Sequence, residues 1–339
     1  MKHRFSAMMS QRKIVVFGSI LVYVLLLSIL LFAVWKGADP DNEAVFGSLE
    51  GRFLSDIVLT HDGETYYYRE NEITNYLFIG SDRENSGTDA GYQNGAQADF
   101  LIMLSIDRIN RTVTPVMLDV DTMTPVQTFD PLGQPSDSRV MQLCLAQTYS
   151  GVDCSGSANT SRAVEALLHG VKVDYCISVD ISALSLANDA IGGVEVTLED
   201  DFTEFDPAMI KGATIRLNGE QAACFVQSRA MVSDGATPSR MMRQQQYMSS
   251  FLMQLRQISK NDMKLPASLM DSLSGHVQSD TSLLVLLRDA RNYKDYLWQP
   301  ILTPEGSYTV DESGFPSFWV NDDGLQELIL QTWFVKEEQ

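Results

Sequence analysis

Three stretches decide the fold: TNYLFIGSD (residues 74–82), ADFLIMLSID (98–107) and TVTPVMLDVD (112–121). Each is a short apolar run that stops at, or starts beside, an aspartate. Runs of this length, bounded by turn-forming residues, read as strands. RINR (108–111) joins the second and third as a hairpin, and the glycine-rich NSGTDAGYQNGAQ (85–97) is a loop between the first two. Order is expected to begin near ETYYYRENEI (64–73).

Downstream, strand and helix patterns alternate. SRVMQLCLAQTY (138–149) and SRAVEALLHG (161–170) have helical periodicity, VDYCISVDI (173–181) reads as a strand, SALSLANDA (182–190) as a helix and GGVEVTL (192–198) as a strand. KGATIRLNGEQAACFVQSR (211–229) is a short strand turning into a helix, and a long helix runs from Ser239, its expected cap, towards Ser259. SLLVLLRDARNY, WQPILTP, SYTV and DGLQELILQTWF add further helices and strands. This alternation indicates a layered α/β domain. There is no internal repeat and no second-domain boundary.

The N-terminus sets the compartment. Lys2, Arg4, Arg12 and Lys13 precede IVVFGSILVYVLLLSILLFAVW (14–35), which carries no charge. A bilayer-spanning helix needs about 20 apolar residues, and a basic flank keeps its end in the cytoplasm. A cleaved signal peptide is the alternative, but the run exceeds a signal h-region and no A-x-A site follows. The expected order is a cytoplasmic tail (1–13), a transmembrane helix (14–35), a linker (36–65) and one extracytoplasmic domain (66–339).

Charge divides at the same point. All 44 acids lie beyond Lys36, with 20 of the 25 basic residues, so the outer part carries 20 − 44 = −24. Such a surface argues against nucleic-acid binding, which needs basic patches. Cys176 and Cys224 lie in apolar runs, as buried thiols do, while Cys144 and Cys154 flank a short stretch and would be able to pair in an oxidising exterior. No zinc-type cysteine spacing, nucleophile elbow, H-E-x-x-H or phosphate-loop lysine is present.

What remains is acids and arginines. Asp82, Asp99, Asp119 and Asp121 sit at strand ends, where α/β sheets build sites. Carboxylates there suit a hard cation, or they cap turns. Arg229 ends one helical pattern, and Arg240 and Arg243 open the next in SRMMRQQQYM (239–248). Three residues apart on a helix, the last two share a face. They suit either a phosphate, which arginine grips with a planar fork, or nearby acids on a solvated face.

Taken in order, NYLFIGSD, ADFLIMLSID, VTPVMLDVDTMTPV, NDAIGGVEVTL, LNGEQAACFVQSR and SRMMRQQQYM resemble the LytR-CpsA-Psr family, from about Thr74 to Met253. The resemblance implies an α/β/α sandwich with a central mixed sheet behind one N-terminal transmembrane helix. It implies a phosphotransferase of cell-envelope assembly that moves a glycopolymer from a polyprenyl-pyrophosphate carrier to peptidoglycan outside the membrane. A relative that binds polyprenyl-phosphate lipid or glycan without catalysis, or a regulatory partner, is the other reading.

By the same resemblance Asp82 and Asp99 hold Mg²⁺ or Mn²⁺, and Asp121 is the catalytic-motif acid. Arg229 and Arg240 bind the pyrophosphate, joined by Arg243 and Gln244. The implied hydrophobic pocket for the lipid tail would draw on DFLIML, CFVQ and MSSFLMQL, which otherwise are core. Several positions depart from the family pattern. Gln97, Val120 and Gln227 replace arginines, Asp119 replaces a proline, and Thr237 replaces an acid, with Asp234 close by. Each charge-assisted hydrogen bond lost in this way is worth about 1.5–3 kcal/mol, unless Arg83, Arg139 or Arg162 fills the space.

Overall fold

A computed structural model of the protein describes residues 58–61, 63–81, 91–92, 97–180, 182–228, 237–259, 269, 272–293, 295–310 and 315–337. The expected cytoplasmic tail, transmembrane helix and most of the linker lie outside these residues, as do Asp82, Arg83, Arg229 and Asp234. No helix among the described residues is long and apolar enough to cross a membrane.

Six strands form the central sheet: β1 (Ile73–Ser81), β2 (Ala98–Asp107), β3 (Thr112–Leu118), β4 (Tyr175–Asp180), β5 (Val277–Ser279) and β6 (Leu297–Trp298), in the order β5-β4-β1-β2-β3-β6. β4 runs parallel to β1 and β6 parallel to β3; the other pairs are antiparallel. The sheet is therefore mixed, as expected. RINR makes the β2–β3 hairpin, with Asp107 opposite Thr112. Arg111 at that turn takes a positive φ of 55°, and the Asp107 carboxylate accepts from the backbone N–H groups of Ile109 and Asn110.

Alternation along the strands explains why they read as near-continuous apolar runs: both faces are covered. Tyr76, Phe78, Phe100, Ile102 and Leu104 face one core, and Leu77, Ile79, Leu101 and Met103 face another. The helices are α1 (Gly156–Leu167), α2 (Ser182–Ala190), α3 (Gly219–Gln227), α4 (Thr237–Ser259), α5 (Leu283–Tyr293) and α6 (Asp322–Trp333). α2 to α5 pack on the first face, and α1 and α6 on the second. The architecture is an α/β/α sandwich.

Local chemistry places these elements. Asn218 and Gln221 form a reciprocal capping box at the start of α3. Gly193, with φ +84°, lies so close to Leu217 that an added Cβ would come within 2.5 Å of its carbonyl oxygen, so the second glycine of IGGVEV cannot carry a side chain. Trp333 at the end of α6 is buried and donates its indole N–H to Asn75 and Ser105.

Three expectations are corrected. SRVMQLCLAQTY is not one helix: Pro135–Gln142 is a strand paired with Met123–Phe129, and only Leu143–Thr148 is helical, as a 3₁₀ helix. The strand is largely exposed, and the buried residues that gave helical spacing are concentrated in the 3₁₀ turn. α4 begins at Thr237, so Ser239 lies inside its first turn. The domain begins before residue 66, because Val58–His61 pairs with Glu64–Tyr68, which also pairs with Phe334–Lys336. All four cysteines are buried and no disulfide joins them, so Cys144 and Cys154 do not pair. Burial pushes the Cys176 thiol up to about 12.

Candidate functional site at one sheet edge

Strand directions gather the acids. Because β2 is antiparallel to β1 and β3, and β4 is parallel to β1, the C-terminal ends of β1, β3 and β4 share an edge with the start of β2. Ser81, Asp99, Asp180 and the Asp119–Asp121 segment all fall there. Ligands commonly bind at such carboxyl-end edges of α/β sheets.

The first turn of α4 brings a cation to this edge. Arg240 is 2% exposed, and its Nη1 lies 3.8 Å from Oδ1 of Asp99. Asp99 itself is 8% exposed. A guanidinium and a carboxylate this deeply buried interact through a medium far less polar than water.

The segment after β3 folds on itself. Asp119 Oδ1 accepts from the Asp121 N–H at 2.8 Å, and the Asp119 carbonyl accepts from Thr122 at 3.1 Å. The hydroxyl of Tyr308 donates to Asp119 Oδ2. Burial raises the Asp119 carboxyl above the ordinary carboxylate value, and the nearby charge of Asp121 adds to this; the Tyr308 bond and the charge of Arg240 oppose it. Arg240 thus acts on Asp119 as well as on Asp99.

Asp121 is 1% exposed. Its Oδ1 accepts from Gln142 Nε2 at 3.4 Å, and its carbonyl accepts from Phe318 N–H at 2.9 Å. Gln142 also donates to Pro316 at 2.5 Å. The antiparallel pair Gly306–Val310 and Pro316–Val320 is therefore fastened to the acid segment by Tyr308, Phe318 and Gln142. Asp121 sits beneath the edge rather than open on it.

Arg243 and Gln244 go elsewhere. Arg243 donates to Phe225 O at 2.9 Å through Nε, to Asp200 at 2.8 Å through Nη1, and to the Ser228 carbonyl through Nη2. Gln244 Nε2 donates to Val226 O at 3.2 Å. Both residues bind the end of α3 to α4. The expectation that Arg240 and Arg243 point the same way is corrected: they occupy neighbouring positions on the helix, but their long side chains diverge to Asp99 and to Asp200.

The substituted positions are also placed. Val120 is buried in the core on the α1 and α6 side. Gln227 is buried, and its Nε2 has no hydrogen-bond acceptor among the described residues. Arg162 donates to Cys154 Sγ at 3.4 Å, and Arg139 stands exposed opposite Val126 in its hairpin. Phe100, Ile102, Phe225, Phe251 and Leu255 are buried in the packed core. Sequence reasoning missed Tyr308 and Gln142, which reach the site from hairpins with no motif of their own; the one available signal was an aspartate at 119.

Among the described residues there is no group of three or more metal-type ligands. That does not exclude a cation of the Mg²⁺ type, which is usually held by one or two carboxylates with the rest supplied by water and substrate phosphate. Asp99 supplies one such carboxylate at the right edge.

Comparison with known proteins converges on one group. A Bacillus cereus (strain AH820) protein described as polyisoprenyl-teichoic acid–peptidoglycan teichoic acid transferase TagU is 26% identical over 228 residues, 67% of each chain. The fold matches protein gbs0355 of Streptococcus agalactiae with a TM-score of 0.60 at 18% identity, over 78% of this chain and 88% of that one. It matches B. subtilis TagV with a TM-score of 0.54 at 20% identity, over 77% and 96%. The LytR_cpsA_psr family model matches residues 55–312, and the chain belongs to that family.

Proposed function

We propose that the protein is a membrane-anchored glycopolymer phosphotransferase. It would move a glycopolymer phosphate from a polyprenyl-pyrophosphate carrier to peptidoglycan on the outer side of the cell membrane. The observation that carries this is the buried Arg240–Asp99 pair, set beside Asp119 and Asp121 at the carboxyl edge of the sheet. The kinship with a teichoic acid transferase supports the substrate class, and the uncharged run at 14–35 behind a basic tail supports the anchor.

In this reading the guanidinium of Arg240 meets the phosphate that is released. Charge develops there in the transition state, and a fixed donor in a dry site stabilises it without reorganising. By the family resemblance Arg229 would add a second cation. Asp121 positions the acid segment, through Gln142 and Phe318, rather than touching substrate. Asp99, with Asp82, would hold Mg²⁺ or Mn²⁺, which when bound neutralises phosphate charge.

One observation favours the second reading, a binder without turnover. Val120 and Gln227 are buried neutral side chains, so the clamp is short of cations at both positions. The test is transfer from a lipid-linked glycopolymer to peptidoglycan in vesicles, run beside lipid binding, for wild type, Arg240→Ala and Arg229→Ala. The expectation is wild-type transfer with a drop of about 10²–10³-fold on loss of one such donor. Lipid binding without transfer in the wild type would favour the binder, and neither activity would reject both.

A further inference from the structure

A recess lies between the outer face of α4 and the chain that follows β6. Met242, Gln245, Gln246, Met248 and Ser249 of α4 form one wall, and Trp298, Gln299, Pro300 and Ile301 the other, around a cavity of about 520 Å³. That is within the range of about 300–1,000 Å³ typical of small-ligand pockets.

Its two walls are built in. Met242, Gln245, Gln246 and Ser249 follow the i, i+3, i+4, i+7 spacing of one helix face. The buried face of the same helix, with Arg243, Gln244, Tyr247 and Phe251, anchors it in the core. The opposite wall is fixed to the sheet: Trp298 pairs with Val113, and Gln299 N–H donates to Val113 O at 2.9 Å.

The chemistry of the lining is specific. In a domain of strongly negative charge, no ionisable side chain among the described residues lines this recess. Three primary amides, one hydroxyl and one indole line it instead, and Gln246 Nε2 donates to the Thr197 carbonyl at 3.0 Å. An amide offers two donors and an acceptor at once, which matches the paired hydroxyls of a sugar. An indole face packs against the C–H face of a pyranose while its edge stays wet. Gln245 directs its Nε2 at the thioether of Met117, 3.5 Å away. Sulfur is a weak acceptor, so a ligand hydroxyl would displace it readily.

We propose that this recess is a saccharide subsite that takes a neutral sugar unit, with Trp298 as platform and Gln245, Gln246, Gln299 and Ser249 as readers of its hydroxyls. The sugar would come from the donor glycopolymer or from the acceptor glycan. The assignment deepens the transferase reading, but its test is binding alone, so the two can fail separately.

The experiment uses the full chain in detergent, with a β-1,4-linked N-acetylglucosamine tetramer as the acceptor-type probe and N-acetylglucosamine 1-phosphate as the donor-type probe. Binding is followed by calorimetry and tryptophan fluorescence. We expect Trp298→Ala and, separately, Gln246→Met/Gln299→Leu to weaken one probe at least tenfold with the unfolding midpoint retained. If the tetramer is the one weakened, the acceptor occupies the subsite; if the 1-phosphate, the donor does. Failure of both probes to bind wild type, or binding of farnesol at this site in their place, would overturn the proposal.

Discussion

Strand β2 begins and ends near an aspartate, and the two ends differ in what surrounds the carboxylate. Asp107, at the hairpin end, meets Arg69 Nη1 at 2.8 Å, Asn110 Nδ2 at 2.7 Å and the N–H groups of Ile109 and Asn110 at 3.0 and 2.8 Å. Asp99, at the other end, has the guanidinium of Arg240 at 3.8 Å. Burial acts to raise the Asp107 carboxyl, but the bonds from Arg69 and Asn110 outweigh it and hold it below the ordinary value. One residue type on one strand thus closes a hairpin turn at one end and stands at the sheet edge beside a buried guanidinium at the other. Helix α4 likewise sends two arginines to different acids, Arg243 to Asp200 at 2.8 Å and Arg240 to Asp99 at 3.8 Å.

The comparison can be broken at four points. The largest effect is expected from Arg243→Ala, which leaves Asp200 buried without its guanidinium. Breaking a buried pair on one side costs about 3–5 kcal/mol, and denaturant unfolding should show it; a loss below about 1 kcal/mol would contradict a fastening role for Arg243.

Next comes the site end of β2. Asp99→Asn should lower transfer by about 10²-fold, as well as costing stability by leaving the buried Arg240 without its charge partner, while Asp107→Asn should leave transfer near wild type. Equal losses in transfer from the two would erase the distinction between the ends.

Asp107→Ala should reduce stability by about 1–3 kcal/mol, since several donors lose their acceptor. The pH dependence has a definite sign. A carboxyl whose folded value is lowered contributes fully above its ordinary value of 3.8, and that contribution vanishes as pH falls through the lowered value. Wild type and Asp107→Ala should therefore converge in stability below that window; a constant gap through acid pH would refute the assignment.

The smallest effect is at Tyr308. Tyr308→Phe removes one hydrogen bond to Asp119, worth about 1 kcal/mol. Asp119 carries the opposite pH sign to Asp107. Its value is raised, so the stability tied to its proton is complete below 3.8 and is lost as pH rises through the raised value. Asp119→Asn should gain on wild type across that interval, and unfolding curves at several pH values would show whether it does.

The strands of the sheet and most helices were legible because both-face burial writes itself as unbroken apolar runs. LFIG and LIML needed no tertiary information. The hairpin of 123–142 was not legible, because its second strand is exposed and carries little apolar pattern. At the site, Asp99 and Arg240 were found as residue types at element ends, and the structure brings them together. Arg243 was misread because sequence spacing fixes where a side chain leaves the helix, not where a long one ends. Tyr308 lies 189 residues from Asp119, and nothing local in either segment records the contact.

The indole of Trp333 has a consequence for how the chain becomes a protein. It donates at 2.9 Å both to Asn75, 258 residues earlier, and to Ser105, 228 residues earlier, and the residues just after it pair with Tyr66–Tyr68. A polypeptide emerging from its amino end therefore holds its longest strands without their closing partner until Trp333 has been made. Contacts of such wide sequence separation slow folding. A premature stop anywhere upstream of Trp333 would leave two polar side chains stranded in the core, so the domain is committed to folding after its last helix has been made.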